Sequence, residues 1–128
     1  MTISALYTSV LAIIFVFLSI RTLRLRRRLK IAIGDGGNEQ MLRAMRVHSN
    51  FAEYVPIALI ALLMVESSGA PHLLVHFLGG VLLLGRISHA YGVSNLRENF
   101  FYRVAGMSLT FTSIVSSSIY IFYRSIFG

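Results

Sequence analysis

The 128-residue chain contains no cysteine, which excludes disulfides, thiolate metal sites and redox chemistry on a thiol of its own. Any thiol reaction carried out here takes its sulfur from a substrate. Charge is scarce too: Asp, Glu, Lys and Arg together make up 13% of the residues, about half the ~25% usual in a soluble domain. Hydrophobic residues make up 55%, which is the composition of a membrane protein. The scarcest charge is negative, with 5 acids against 12 Lys and Arg and a net charge of +7. In a soluble protein such an excess points to nucleic acid. Here the basic residues abut apolar runs, so anionic lipid and topology account for them, and nucleic acid is not an expected partner.

Two further signatures are missing. The glycine-rich stretch Gly34-Asp35-Gly36-Gly37-Asn38 has neither Walker nor Rossmann spacing, so it reads as a turn and hinge rather than a phosphate cradle. His72 and His76 have the i, i+4 spacing of a metal pair, but no third ligand accompanies them and no metal site is expected. No internal repeat or low-complexity segment stands out.

What remains is four apolar segments within one domain, residues 1–128, with helices expected at about 3–20, 40–65, 71–91 and 101–124. The first is uncharged and, at ~1.5 Å per residue, crosses most of a ~30 Å hydrocarbon core. It lacks the basic leader and cleavage site of a signal peptide, so it reads as a retained span. Arg21, Arg24, Arg26, Arg27, Arg28 and Lys30 follow it, while the loop Glu66–Pro71 has no Lys or Arg. The positive-inside rule then puts the arginine-rich loops in the cytoplasm and both termini outside. The expected fold is an all-α membrane protein, a bundle of four transmembrane helices.

The second helix carries the feature that composition leaves unexplained. At 100° per residue, Arg43, Arg46, Asn50 and Glu53 fall within an arc of roughly 80°. The same face runs back to Glu39 and on to Ile57, Ile60 and Met64 in alternating steps of four and three. That period is the seam of a helix packed on others with left-handed supercoiling. A carboxylate as deep as Glu53 costs at least ~2.5 kcal/mol in hydrocarbon if unpaired, so it needs a partner or a proton. The alternatives are a salt-bridge network that fixes helix register and a binding or catalytic site on the same groups. His48 points about 200° from Arg46, toward another helix or the interface. Arg86, His89, Tyr91, Arg97 and Arg103 are expected on the same side as Arg43 and Arg46. Arginines grip carboxylates bidentately, and a further cation lowers the pKa of a thiol, so an anionic thiol would suit such a place.

The pattern Arg43-x-x-Arg46-x-His48-x-Asn50-x-x-Glu53-Tyr54-x-Pro56, followed by Gly85-Arg86-x-x-His89, resembles the MAPEG family, the membrane-associated proteins in eicosanoid and glutathione metabolism. The likeness spans essentially the whole chain and is greatest to the small bacterial inner-membrane branch. It implies a homotrimer of four-helix subunits in the inner membrane, with glutathione as cosubstrate bound between adjacent subunits near the cytoplasmic side. By that resemblance Arg43, Arg46, Asn50, Glu53 and Tyr54 line the glutathione pocket, and Arg86 and His89 match a family position ending the third helix. The thiol-activating arginine of catalytic members is best matched by Arg103, with Arg97 as the alternative. The activity so implied is a glutathione S-transferase or peroxidase acting on an apolar electrophile from the bilayer. Leu42 stands where members often carry an acid, and only Tyr91 remains of the tyrosines some members have after the third helix. These departures motivate an alternative, a noncatalytic binding or scaffold protein of the same fold. A small proton-coupled exporter using Glu53 is a third reading.

Overall fold

A computed structural model describes residues 2–128; Met1, counted above in the single domain, lies outside the described residues. The chain forms α1 (Thr2–Leu29), α2 (Glu39–Ser67), α3 (His72–Ser94) and α4 (Phe100–Phe127). All four are long and apolar enough to cross a membrane.

The helix ends follow from local chemistry. Asn38 and Asn99 cap α2 and α4, their side-chain oxygens accepting from the N–H of Met41 at 2.9 Å and of Phe101 at 3.0 Å. Each thereby satisfies a donor the first turn cannot. α1 runs on past Ile20, where the apolar run stops, to Leu29. Arginine is a good helix former, no glycine or proline intervenes, and Arg26, Arg27 and Arg28 in the last turn complement the helix dipole. The break comes at Lys30, in the left-handed region at φ 54°, and at Gly34, Gly36 and Gly37, all at positive φ. Arg26 Nη1 ties this loop down by donating to the Gly34 carbonyl at 2.8 Å. α2 continues through Pro56.

At the opposite end, the Glu66 carboxylate closing α2 accepts from the backbone N–H groups of Ile3 and Ser4, at 3.0 and 2.9 Å, and from the Ser4 hydroxyl. One acid from a neighbouring helix therefore caps the start of α1. Arg124 Nη2 donates to the Ser68 carbonyl at 3.1 Å. The start of α1 and the end of α4 thus meet the α2–α3 loop at the end of the bundle away from the arginine run.

The core is layered along the bundle. Leu25, Met41 and Ala44 pack at the arginine-rich end, Leu11, Leu18, Val47, Phe51, Leu82 and Val93 in the middle, and Ile3, Leu62, Val65, Val75 and Leu78 at the other end. α3 and α4 approach most closely, because Gly85 and Gly106 face each other. A Cβ on Gly106 would lie 2.7 Å from the Gly85 carbonyl oxygen, and one on Gly85 would lie 2.9 Å from that of Gly106. Small residues allow such contact between membrane helices.

Candidate functional site

The buried stripe of α2 runs through Met41, Ala44, Val47, Phe51, Val55, Ala58 and Leu62. On an ideal helix its mean direction lies about 150° from that of the Arg46–Met64 stripe. The face that the period-3.5 spacing marks as a packed seam therefore points out of the subunit. Arg46 and Glu53 are exposed, Arg43, Asn50 and Tyr54 half-buried, and Ile57, Ile60 and Met64 are 52%, 54% and 50% exposed. Among the described residues Glu53 has no ion pair or hydrogen bond, and the side chain of Arg46 has none either. The register network expected between them does not form inside one chain.

Arg43 turns away from Arg46 toward the α3–α4 loop. Its Nη1 donates to Glu98 Oε2 at 3.0 Å and to the Val93 carbonyl at 3.1 Å, and its Nε lies 3.3 Å from Glu39 Oε1. The other Glu98 oxygen lies 3.4 Å from Arg103 Nη1. Glu98 is thus a single carboxylate, 5% exposed in its side chain, held between two guanidinium groups. Sequence reasoning passed over it, because an acid between Arg97 and Asn99 in a short loop looks solvated. The available signal was its place among arginines from two helices. Arg97 is exposed, with no partner among the described residues.

Deeper in the bundle is a second polar centre. Arg86 is 1% exposed; its Nη2 donates to Asn50 Oδ1 at 2.6 Å, and its Nη1 lies 3.5 Å from Thr110 Oγ1. Its Cζ stands 5.8 Å from the centroid of the Phe51 ring, within cation–π range. No carboxylate pairs with it among the described residues. Arg86 Nε and His89 Nδ1 are buried without a hydrogen-bond partner among them as well. Buried charge normally needs pairing and full hydrogen bonding, so this centre is only partly satisfied within one chain. His89 packs against α4 where Gly106 gives it room, since a Cβ there would lie 2.7 Å from its own.

Of the eight candidate site residues, Asn50 and Arg86 are in direct contact, and Arg43 and Arg103 are joined through Glu98. Tyr54 packs edge-on against Phe111, with ring centroids 5.5 Å apart. Arg46 and Glu53 remain on the outer face. His48 does meet another helix, accepting or donating at Nε2 with Ser19 Oγ at 2.8 Å and stacking on Phe15 at 5.0 Å. His76 lies 3.2 Å from the Tyr7 hydroxyl through its Nδ1.

This arrangement offers cations able to hold carboxylates and, midway along α2, a carboxylate without a partner among the described residues, Glu53, able to hold an ammonium group. Residues 4–123 match the family model described as the MAPEG family. The chain is 39% identical over 113 residues to the inner membrane protein YecN of Escherichia coli (strain K12), covering 88% of this chain and 85% of that one. It matches the YecN of Escherichia coli O6:H1 with the same identity and coverage.

Proposed function

Because the chain belongs to the MAPEG family, we propose that it is an inner-membrane, homotrimeric, glutathione-binding protein acting as a glutathione transferase or peroxidase on an apolar electrophile. The observation that carries this reading is the outward stripe of α2, where Arg46 and Glu53 stand in a membrane helix with no side-chain partner among the described residues. An unpaired carboxylate at depth costs at least ~2.5 kcal/mol, so the stripe calls for something that covers and neutralises it. A second copy supplies the cover, and the Ile57–Met64 continuation of the stripe supplies an apolar seam for left-handed packing. The relatives' naming as inner membrane proteins supports the location. The arginine-rich end then faces the cytoplasm and both termini face outward, by the positive-inside rule.

Glutathione carries two carboxylates, an ammonium group and a thiol, and the residues present fit it. Arg43 and Arg46 hold carboxylates, Glu53 holds the ammonium group, and Asn50 and Tyr54 contact the peptide portion. Glu98, already seated between Arg43 and Arg103, illustrates that these guanidinium groups accept a carboxylate between them. Arg86 braces Asn50 from behind, and Arg86 Nε and His89 Nδ1 are buried polar atoms with no hydrogen-bond partner among the described residues. Arg103 is half-exposed and its contact with Glu98 is long, 3.4 Å, so it is free to turn toward the thiol.

The guanidinium favours the thiolate. The sulfur lone pair then forms a bond to the electrophilic carbon, and the leaving group departs with its electron pair. With a hydroperoxide the thiolate attacks the terminal peroxide oxygen, forming an S–O bond as the O–O bond breaks, so that the alcohol leaves with a proton and glutathione sulfenic acid remains. A second glutathione then displaces water to give the disulfide, so two thiols are oxidised for each peroxide reduced.

The test is conjugation of glutathione to an apolar aryl halide, and reduction of a lipid hydroperoxide, by the purified protein in bilayers. Activity lost in Arg103→Ala with glutathione binding retained is the expected result. No turnover of either substrate by a folded, oligomeric sample would overturn the catalytic reading. The sealing of Arg86 and His89, 1% and 4% exposed, favours a second reading, a noncatalytic scaffold whose polar stripe serves only assembly. Glu53→Gln would then break the oligomer with no glutathione effect to find.

A further inference from the structure

A cleft of about 550 Å³ opens at the arginine-rich end, between the last turns of α1, the first turns of α2 and the end of α3. It is not the site described above. Gln40 and Ala44, its α2 wall, lie about 130° around the helix from the Arg46–Met64 stripe. Arg21, Arg24 and Arg28 line its α1 wall, at i, i+3 and i+7, so they form one stripe along the helix.

No carboxylate pairs with any of the three among the described residues. Arg21 Nη1 donates to Ser94 Oγ at 2.9 Å, which fixes the guanidinium against α3. Its Nε and Nη2 are buried and have no partner among the described residues. Arg28 reaches Gln40 Oε1 only at 3.4 Å. Donors buried in this way are normally satisfied, and their common sign calls for an anion with several acceptor oxygens. Towards the bilayer the cleft is walled by Phe17 and Ile20, 64% and 44% exposed. It is therefore cationic at the membrane boundary and apolar one to two turns deeper.

We propose that this cleft binds an anionic glycerophospholipid, its phosphate between Arg21 and Arg24 and an acyl chain along Phe17 and Ile20. Arg28 and Gln40 close over the headgroup. The shared chemistry is a phosphate, and the apolar wall selects the lipid-borne form over the free ion. Basic pockets between membrane helices hold headgroups in the same way.

Native mass spectrometry of the detergent-purified protein, titrated with dioctanoyl phosphatidylglycerol, tests this. Saturable binding is expected, unaffected by equimolar inorganic phosphate and absent with dioctanoyl phosphatidylcholine. Arg24→Gln removes no hydrogen bond or ion pair among the described residues, and Arg21→Gln removes only the hydrogen bond to Ser94. Each should weaken binding about tenfold, the loss expected for one charge-assisted hydrogen bond. Arg27→Gln deletes the same charge from the exposed side of α1, about 90° away, and should leave binding unchanged. Equal weakening by Arg27→Gln would mean diffuse charge attraction only and would overturn the site. So would equal binding of phosphatidylcholine, displacement by inorganic phosphate, or no loss in either cleft variant.

Discussion

The α3–α4 contact and the outward stripe of α2 are both polar features of membrane helices, and the chain treats them in opposite ways. Between α3 and α4 the polar atoms are enclosed: Thr110, Ser113 and Ser117 are buried, Ser113 Oγ donates to the Leu78 carbonyl at 2.9 Å, and facing glycines bring the backbones together. Along α2, Arg46 and Glu53 are exposed, with no side-chain partner among the described residues. Hydroxyls can return their hydrogen bonds to their own or a neighbouring helix, whereas full charges at depth need a partner of opposite sign. The enclosed contact keeps its polar atoms inside the chain, although Ser117 Oγ, Arg86 Nε and His89 Nδ1 lack a hydrogen-bond partner among the described residues, and it reads as architecture. The open stripe is incomplete in one subunit, which is why it carries the functional proposal.

The comparison breaks most severely if the enclosed side tolerates bulk. Gly106→Leu would place a Cβ 2.5 Å from the His89 nitrogen and should destabilise by about 3 kcal/mol or more, seen as loss of folded protein or a large drop in thermal midpoint in detergent. Next comes the centre that links the two regions. Asn50→Leu removes the acceptor of Arg86 at 2.6 Å and strands a buried cation, an expected loss of about 3 kcal/mol. Arg86→Met removes the cation itself and should cost clearly less in the same thermal assay.

Glu98→Gln keeps the shape and removes the charge that joins Arg43 to Arg103. Arg103 is about half-exposed there, so screening keeps the expected loss to about 1 kcal/mol in denaturation experiments. Smallest in stability should be Arg46→Ala, within about 0.5 kcal/mol for an exposed side chain. Its effect belongs to ligand binding, and an equally small effect there would erase the contrast between the two regions.

Much of this division can be read in the sequence, and what cannot has definable causes. The four helices follow from apolar runs set off by glycine-rich and charged segments, and the motif on α2 includes the Asn50 that meets Arg86 and the Arg43 that meets Glu98. The end of α1 is not legible from hydropathy, because Arg21–Leu29 is as helical as the apolar run before it. The direction of the polar stripe is hidden for a different reason. Two stripes on α2 are both built from steps of three and four, and spacing alone does not say which faces the chain's own core. The apolar stripe through Val47, Phe51 and Val55 was the clue. Glu98 became visible only when α2, the α3–α4 loop and α4 came together.

Whether the open stripe is a ligand site is decided by calorimetric titration of glutathione into the detergent-purified protein, with Arg46→Ala alongside. Saturable binding in the parent protein, weakened about tenfold or more in Arg46→Ala with the oligomer intact, is the predicted result. Failure of the folded, oligomeric parent to bind glutathione, or equal binding by the variant, would contradict it and leave the stripe as assembly surface alone.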